Sequence, residues 1–237
     1  EDFVRGITAK VTEGQIKYEA MNKVLGDFAQ EAQQNFINSR KDINTYSREK
    51  WVEDMLGQYA DLVQEKLAES GKYPIGNTIV YIFDVEEDAF RYKGDNWRIH
   101  EGGLRMKFKQ LIELYLHGVS TRQDIKKLSG SKGLVNGHAT YYNKILQDFR
   151  EFLKDKPLYN QHRATVVERK YVMIIDEINR ANLSSVLGEL IYALEYRGKP
   201  VQSLYEVEGD RELILPPNLY IIGTMNTADR SVGHIDY

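Results

Sequence analysis

Apolar positions along this chain repeat with two different spacings. After an irregular opening, EDFVRGITAKVTEGQ, the residues Met21, Val24, Leu25, Phe28, Ala32 and Phe36 recur at helical intervals and predict an amphipathic helix. A second stripe, Trp51, Met55, Tyr59, Leu62, Val63 and Leu67, predicts a helix over about 45–69, closed by Ser70-Gly71. TIVYIF at 78–83 reads as a strand, and FRYKGDNWRI at 90–99 as a hairpin turning at Gly94-Asp95. Helices follow at about 103–117, 121–128 and 138–154. From about residue 166 the pattern is strand, helix, hairpin, strand. Tyr171–Ile175 is wholly apolar, and Asn182 can cap a helix to about Tyr196 with Leu183, Val186, Leu187, Leu190, Ile191 and Leu194 inward. RGKP ends that helix, Val201–Tyr205 and Glu212–Leu215 form a hairpin, and LYIIG at 219–223 is a second apolar strand.

These elements divide the chain into 1–36, 37–165 and 166–237. The outer parts predict an α/β core, a parallel sheet with flanking helices. The middle part predicts an inserted α+β subdomain with apolar residues enough for a core of its own. There is no internal repeat and no low-complexity tract.

Composition narrows the classes. Hydrophobic residues make up 42% of the 237, enough for a packed interior. The net charge of −3 carries no general basic field, so nucleic acid would have to be met by a local patch. Such a patch is in reach. Between Gly102 and Lys132 there are seven Lys/Arg against two Asp/Glu, with Tyr141 and Tyr142 soon after. Arg105, Lys107, Lys109, Arg122, Lys126 and Lys127 are the candidate contacts to DNA or a protein partner; an ordinary solvated helix face is the alternative. With no cysteine there are neither disulfides nor thiolate metal sites, which favours an intracellular, cytoplasmic protein. No apolar run approaches the ~18 residues of a membrane span. His100, His117, His138 and His162 lack metal-ligand spacing, and the Trp51 stripe reads as core.

The chemistry sits where the apolar strands stop. Tyr171–Ile175 ends on two adjacent carboxylates, Asp176 and Glu177. Like charges side by side repel, so the pair calls for a cation or for one carboxylate serving as a base. Leu219–Gly223 also ends in polar residues: Thr224, Asn226, Thr227, Asp229 and Arg230. If the two strands are parallel neighbours, Asp176, Glu177 and Asn226 converge on the sheet edge where α/β folds bind ligands. That is the layout of a Walker B strand beside a sensor residue in a nucleoside triphosphatase.

IIDEINRANLS followed by YIIGTMNTADRS resembles the McrB-type branch of the AAA+ family, the GTPase motors of modification-dependent restriction systems. EDFVRG at residues 1–6 and the helix KVLGDFAQEA resemble further segments of that core. The resemblance implies a partial AAA+ P-loop NTPase core carrying an insertion. It implies that Asp176 holds Mg²⁺ through water, that Glu177 polarises the attacking water, and that Asn226, Thr227 and Asp229 position that water beside the nucleotide. Arg180 and Arg230 match family positions near the nucleotide and the subunit interface. It further implies GTP, with ATP open, a homo-oligomeric ring (hexameric in the complete protein), a McrC-like nuclease subunit that cleaves DNA, and no membrane. Two features depart from the family. No Gly-rich loop ending in Gly-Lys-Ser/Thr is present, since the Gly-Lys pairs at 71–72 and 198–199 are followed by Tyr and Pro. The loop and the arginine-rich finger stretch are expected outside these residues, so the chain as given should be inactive alone. The connection at 37–165 is also much longer than in the family. A non-hydrolysing nucleotide scaffold or DNA-recognition module is the alternative reading, although Glu177 is intact. A metal-dependent nuclease lacks its separated Asp…Glu-x-Lys arrangement.

Overall fold

The computed structural model describes residues 4–12, 15–97, 102–129, 133–159, 164–178, 190–207 and 210–225. The chain packs as two units, Glu1–Lys41 with Thr165–Tyr237, and Asp42–Ala164.

The first unit opens on a hairpin. Strand β1 (Arg5–Thr12) pairs antiparallel with β2 (Gln15–Asn22), from Arg5 opposite Asn22 to Thr12 opposite Gln15. This corrects the irregular opening expected there. The reason is in the pattern: Ile7, Ala9 and Val11 alternate with Thr8, Lys10 and Thr12, the period of a strand rather than of a helix. Met21 therefore belongs to β2, and helix α1 starts later, at Val24–Asn38. Its buried Leu25, Ala29 and Ala32 share one core with Leu190 and Ala193 of the helical stretch 190–195, and with Val201, Leu213, Leu215 and Leu219. Gly198, at φ 77°, ends that stretch and donates its N–H to Leu215 O at 2.9 Å.

Strand β7 (Tyr171–Ile175) and strand β10 (Leu219–Gly223) lie side by side and parallel, with Tyr171 opposite Leu219 and Ile175 opposite Gly223. One face of the pair, Tyr171, Met173, Leu219 and Ile221, joins the core, where Phe28 meets Tyr171 edge to face at 5.4 Å. The other face leaves Val172 48%, Ile174 67% and Ile222 52% exposed, so among the described residues these strands are covered on one side. Two buried amides set the start of both strands. Asn218 donates to Ala32 O at 3.0 Å and Arg169 O at 3.1 Å, while Asn35 donates to Val167 O at 3.1 Å and accepts from Arg169 N–H at 2.8 Å. Between β7 and β10 a hairpin of β8 (Val201–Val207) and β9 (Asp210–Leu213) is tied to β1 by Arg5, which donates to Glu212 O at 2.8 Å and Tyr205 O at 3.3 Å.

The second unit packs helices on one face of an antiparallel sheet. Helix α2 (Ile43–Ser70) is capped by Asp42, whose carboxylate accepts the N–H groups of Asn44 and Thr45 at 3.0 Å, and it stops at Gly71 with φ 73°. The sheet order is β3 (Tyr73–Pro74), β4 (Val80–Val85), β5 (Ala89–Gly94), β6 (Leu104–Lys107). Val80, Ile82, Phe90, Tyr92 and Met106 point to the core, against Trp51, Met55, Tyr59 and Val63 of α2. Helices α3 (Phe108–Leu116), α4 (Arg122–Leu128), α5 (Leu134–Gly137) and α6 (Ala139–Leu153) complete it. Two expectations change here. β5 turns not into a tight hairpin at 90–99 but pairs with β4 and, after a longer connection, with β6, Phe90 lying opposite Met106. Residues 104–107 are thus strand, and the helix expected from 103 begins at Phe108. Leu104 and Met106 alternating with Arg105 and Lys107 is again a period of two.

Candidate active site

The carboxyl ends of β7 and β10 meet, and the chain leaves both in a bonded turn. Thr224 N–H donates to Ile175 O at 3.0 Å, and Ile178 N–H donates to Thr224 O at 2.9 Å. The pairing thus continues one step beyond each strand and closes around Asp176 and Glu177. Glu177 has φ 50°, in the left-handed region that a residue with a Cβ enters only against resistance, at a cost of about 1–2 kcal/mol. Thr224 holds it there: its Oγ1 accepts the Glu177 N–H at 2.9 Å. The same hydroxyl donates to Asp176 Oδ1. Gly223 permits the turn's close approach, because a Cβ there would meet the Ile178 side chain at 3.1 Å. Asp176 is exposed and Glu177 half-buried.

The two strands therefore bring Asp176 and Glu177 beside Thr224. Asn226, Thr227, Asp229, Arg230 and Arg180 lie outside the described residues. The sequence places Thr224 among the polar residues ending the second strand but gives it no role; the only signal it offers is its position directly after the strand glycine, two residues before Asn226. A shallow groove of about 470 Å³ lined by Val24, Asp27, Phe28, Glu31, Val172 and Met173 lies alongside the body of β7, away from these carboxylates. Asp176 fits the implied magnesium by chemistry: it is an exposed hard-oxygen ligand at a strand end, and Mg²⁺ takes one or two protein carboxylates with the rest of its shell from water and phosphate.

The basic residues of the second unit fall on three elements. Arg105 on β6 is held by Glu86, with Nε to Oε2 at 2.6 Å, and by Asp88. Lys107 ends β6 and Lys109 is exposed on α3. Arg122, Lys126 and Lys127 lie on α4, where the two lysines occupy the last turn and face the negative end of the helix dipole. Among the described residues no helix is long and apolar enough to cross a membrane, and no three His, Cys, Asp or Glu side chains group as a metal site.

The AAA domain of the dynein-related subfamily matches residues 127–237, the stretch that holds both strand ends. Over 116 residues the chain is 41% identical to the "Type IV methyl-directed restriction enzyme EcoKMcrB subunit" of Escherichia coli (strain K12), covering 44% of this chain and 25% of that protein. The chain carries a McrB-like AAA+ module. A second relative, the "Type II restriction enzyme BsuMI component YdiS" of Bacillus subtilis (strain 168), is 36% identical over 80 residues, 28% of this chain and 23% of its own length. The chain thus spans about a quarter of each of these relatives. An AAA domain implies the α/β fold of P-loop nucleoside triphosphatases, and the parallel β7–β10 pair lies within the matched stretch.

Proposed function

We propose that this McrB-like module is part of the nucleotide-hydrolysing motor subunit of a modification-dependent restriction system. The observation that carries the reading is the joint ending of two parallel strands on Asp176, Glu177 and Thr224. In this reading Asp176 holds the magnesium ion, which when bound offsets the charge of the nucleotide phosphates. Glu177 draws the proton from the attacking water onto a carboxylate oxygen. Asn226 and Asp229 orient that water, and Thr227, Arg180 and Arg230 border the nucleotide. GTP is favoured over ATP by resemblance. The full-length protein works as a homo-oligomeric ring, hexameric by that resemblance, with a McrC-like nuclease subunit that cuts the DNA the motor translocates.

The unit Asp42–Ala164 is in this reading an insertion between a core helix and the Walker B strand, and it touches DNA or a partner protein rather than nucleotide. Lys107, Lys109, Arg122, Lys126 and Lys127 are its best candidates for meeting phosphates. Arg105, the sixth candidate, is engaged by Glu86 and Asp88. The test of the site is binding. In the full-length protein, calorimetric titration of a non-hydrolysable GTP analogue with magnesium should show Asp176→Asn weakened by about tenfold or more, the range expected when a metal site's shell is damaged. Wild-type affinity in Asp176→Asn, with the same magnesium dependence, would remove Asp176 from the metal site.

A further inference from the structure

Neighbouring side chains on a strand point to opposite faces, so Asp176 and Glu177 would diverge if β7 simply ran on. The turn at Glu177, with φ 50°, breaks that alternation, and one side chain from the other strand holds both residues. The Thr224 hydroxyl has one proton to give and lone pairs to receive. It accepts the Glu177 N–H at 2.9 Å and gives its own proton to Asp176 Oδ1. The main chain of Thr224 repeats the link on either side, through Ile175 O at 3.0 Å and Ile178 N–H at 2.9 Å.

We propose that Thr224 is a positioning residue of the nucleotide site: its hydroxyl fixes the Asp176 carboxylate relative to the Glu177 backbone, so that metal ligand and general base keep one geometry. This rests on the reading of Asp176 and Glu177 given above. A hydroxyl that only fastened two strand ends would be dispensable, because the two main-chain bonds already do that. A hydroxyl that orients a carboxylate is not, because an O–H···O⁻ bond is strong and directional. Valine keeps the shape of threonine without its hydroxyl, and serine keeps the hydroxyl without the methyl group.

The experiment compares Thr224→Val, Thr224→Ser and Glu177→Gln in the full-length protein. It reads kcat and KM for GTP and ATP, calorimetric affinity for a non-hydrolysable analogue across a magnesium series, and the thermal midpoint. Thr224→Val should lose about 10–100-fold in kcat, the range seen when a partner of a metal ligand is removed, and should need more magnesium for half-maximal analogue binding. Its nucleotide KM should stay within about threefold, because nothing that grips the base or ribose has changed, and Thr224→Ser should recover kcat to within about threefold. A Thr224→Val protein with wild-type kcat and magnesium dependence, beside an inactive Glu177→Gln, would overturn the positioning role and leave the site intact. So would Thr224→Val and Thr224→Ser falling together with a lowered thermal midpoint, which is what a purely structural role predicts. Full hydrolysis by Glu177→Gln would instead overturn the reading of the site itself.

Discussion

At the scale of single residues, the Tyr92 hydroxyl in the second unit is a buried polar atom that the fold does not use. Tyr92 is fully buried and its hydroxyl has no hydrogen-bond partner among the described residues. Burial pushes its acidity far below that of an ordinary phenol. Its ring still contributes, standing 5.7 Å from Trp97 and 6.2 Å from Tyr141. An unpaired buried hydroxyl costs about 1–3 kcal/mol, so Tyr92→Phe should be neutral or stabilising by up to about 1 kcal/mol in denaturant unfolding. A loss of more than about 1 kcal/mol would mean that the hydroxyl is satisfied after all. Tyr142, by contrast, donates to Gln110 Oε1 at 2.7 Å and has its partner. The two carboxylates of the candidate site stand out in the sequence because an apolar strand ends on them. The link through Thr224 does not, because a threonine after a strand glycine carries no signal of what its hydroxyl meets across the sheet.

Elements are held in register by residues whose role also goes unmarked in the pattern. Asn218 is 2% exposed and joins α1 to the start of β7, donating to Ala32 O and Arg169 O, while its own main-chain carbonyl accepts Tyr171 N–H at 2.8 Å. This junction fixes which residue of β10 faces which of β7, and so it carries Asp176 to Thr224. Asn218→Ala should destabilise the fold by about 1–3 kcal/mol, since it removes two hydrogen bonds made by a buried side chain. Denaturant unfolding of that variant at wild-type stability would contradict the junction's importance. The helices at about 45–69, 121–128 and 138–154 and the strands at 171–175 and 219–223 are readable in the sequence, because each carries a sustained period or an uninterrupted apolar run. The hairpin of β1 and β2 and the short β6 carry a period of two, but only over short runs. Their apolar positions are few and separated by charged residues and Thr, so pairing with a neighbouring strand decides the structure.

At the scale of the molecule, the chain alternates between its two units, and the segment Asp42–Ala164 carries the local excess of positive charge. Replacing Lys107, Lys109, Arg122, Lys126, Lys127 and Arg105 by Ala in the full-length protein should lower DNA affinity. The slope of log affinity against log salt should fall by about one unit for every phosphate that the protein no longer neutralises. Equal affinity and equal slope across the salt series would leave these residues as a solvated surface. The central claim concerns the other unit, where one strand end supplies a base. It is tested most directly by steady-state GTP and ATP hydrolysis in the full-length protein carrying Glu177→Gln. An amide cannot take a proton from water, so turnover should fall by about 10²–10⁴-fold while nucleotide binding and assembly persist. Hydrolysis at the wild-type rate by Glu177→Gln would contradict the account.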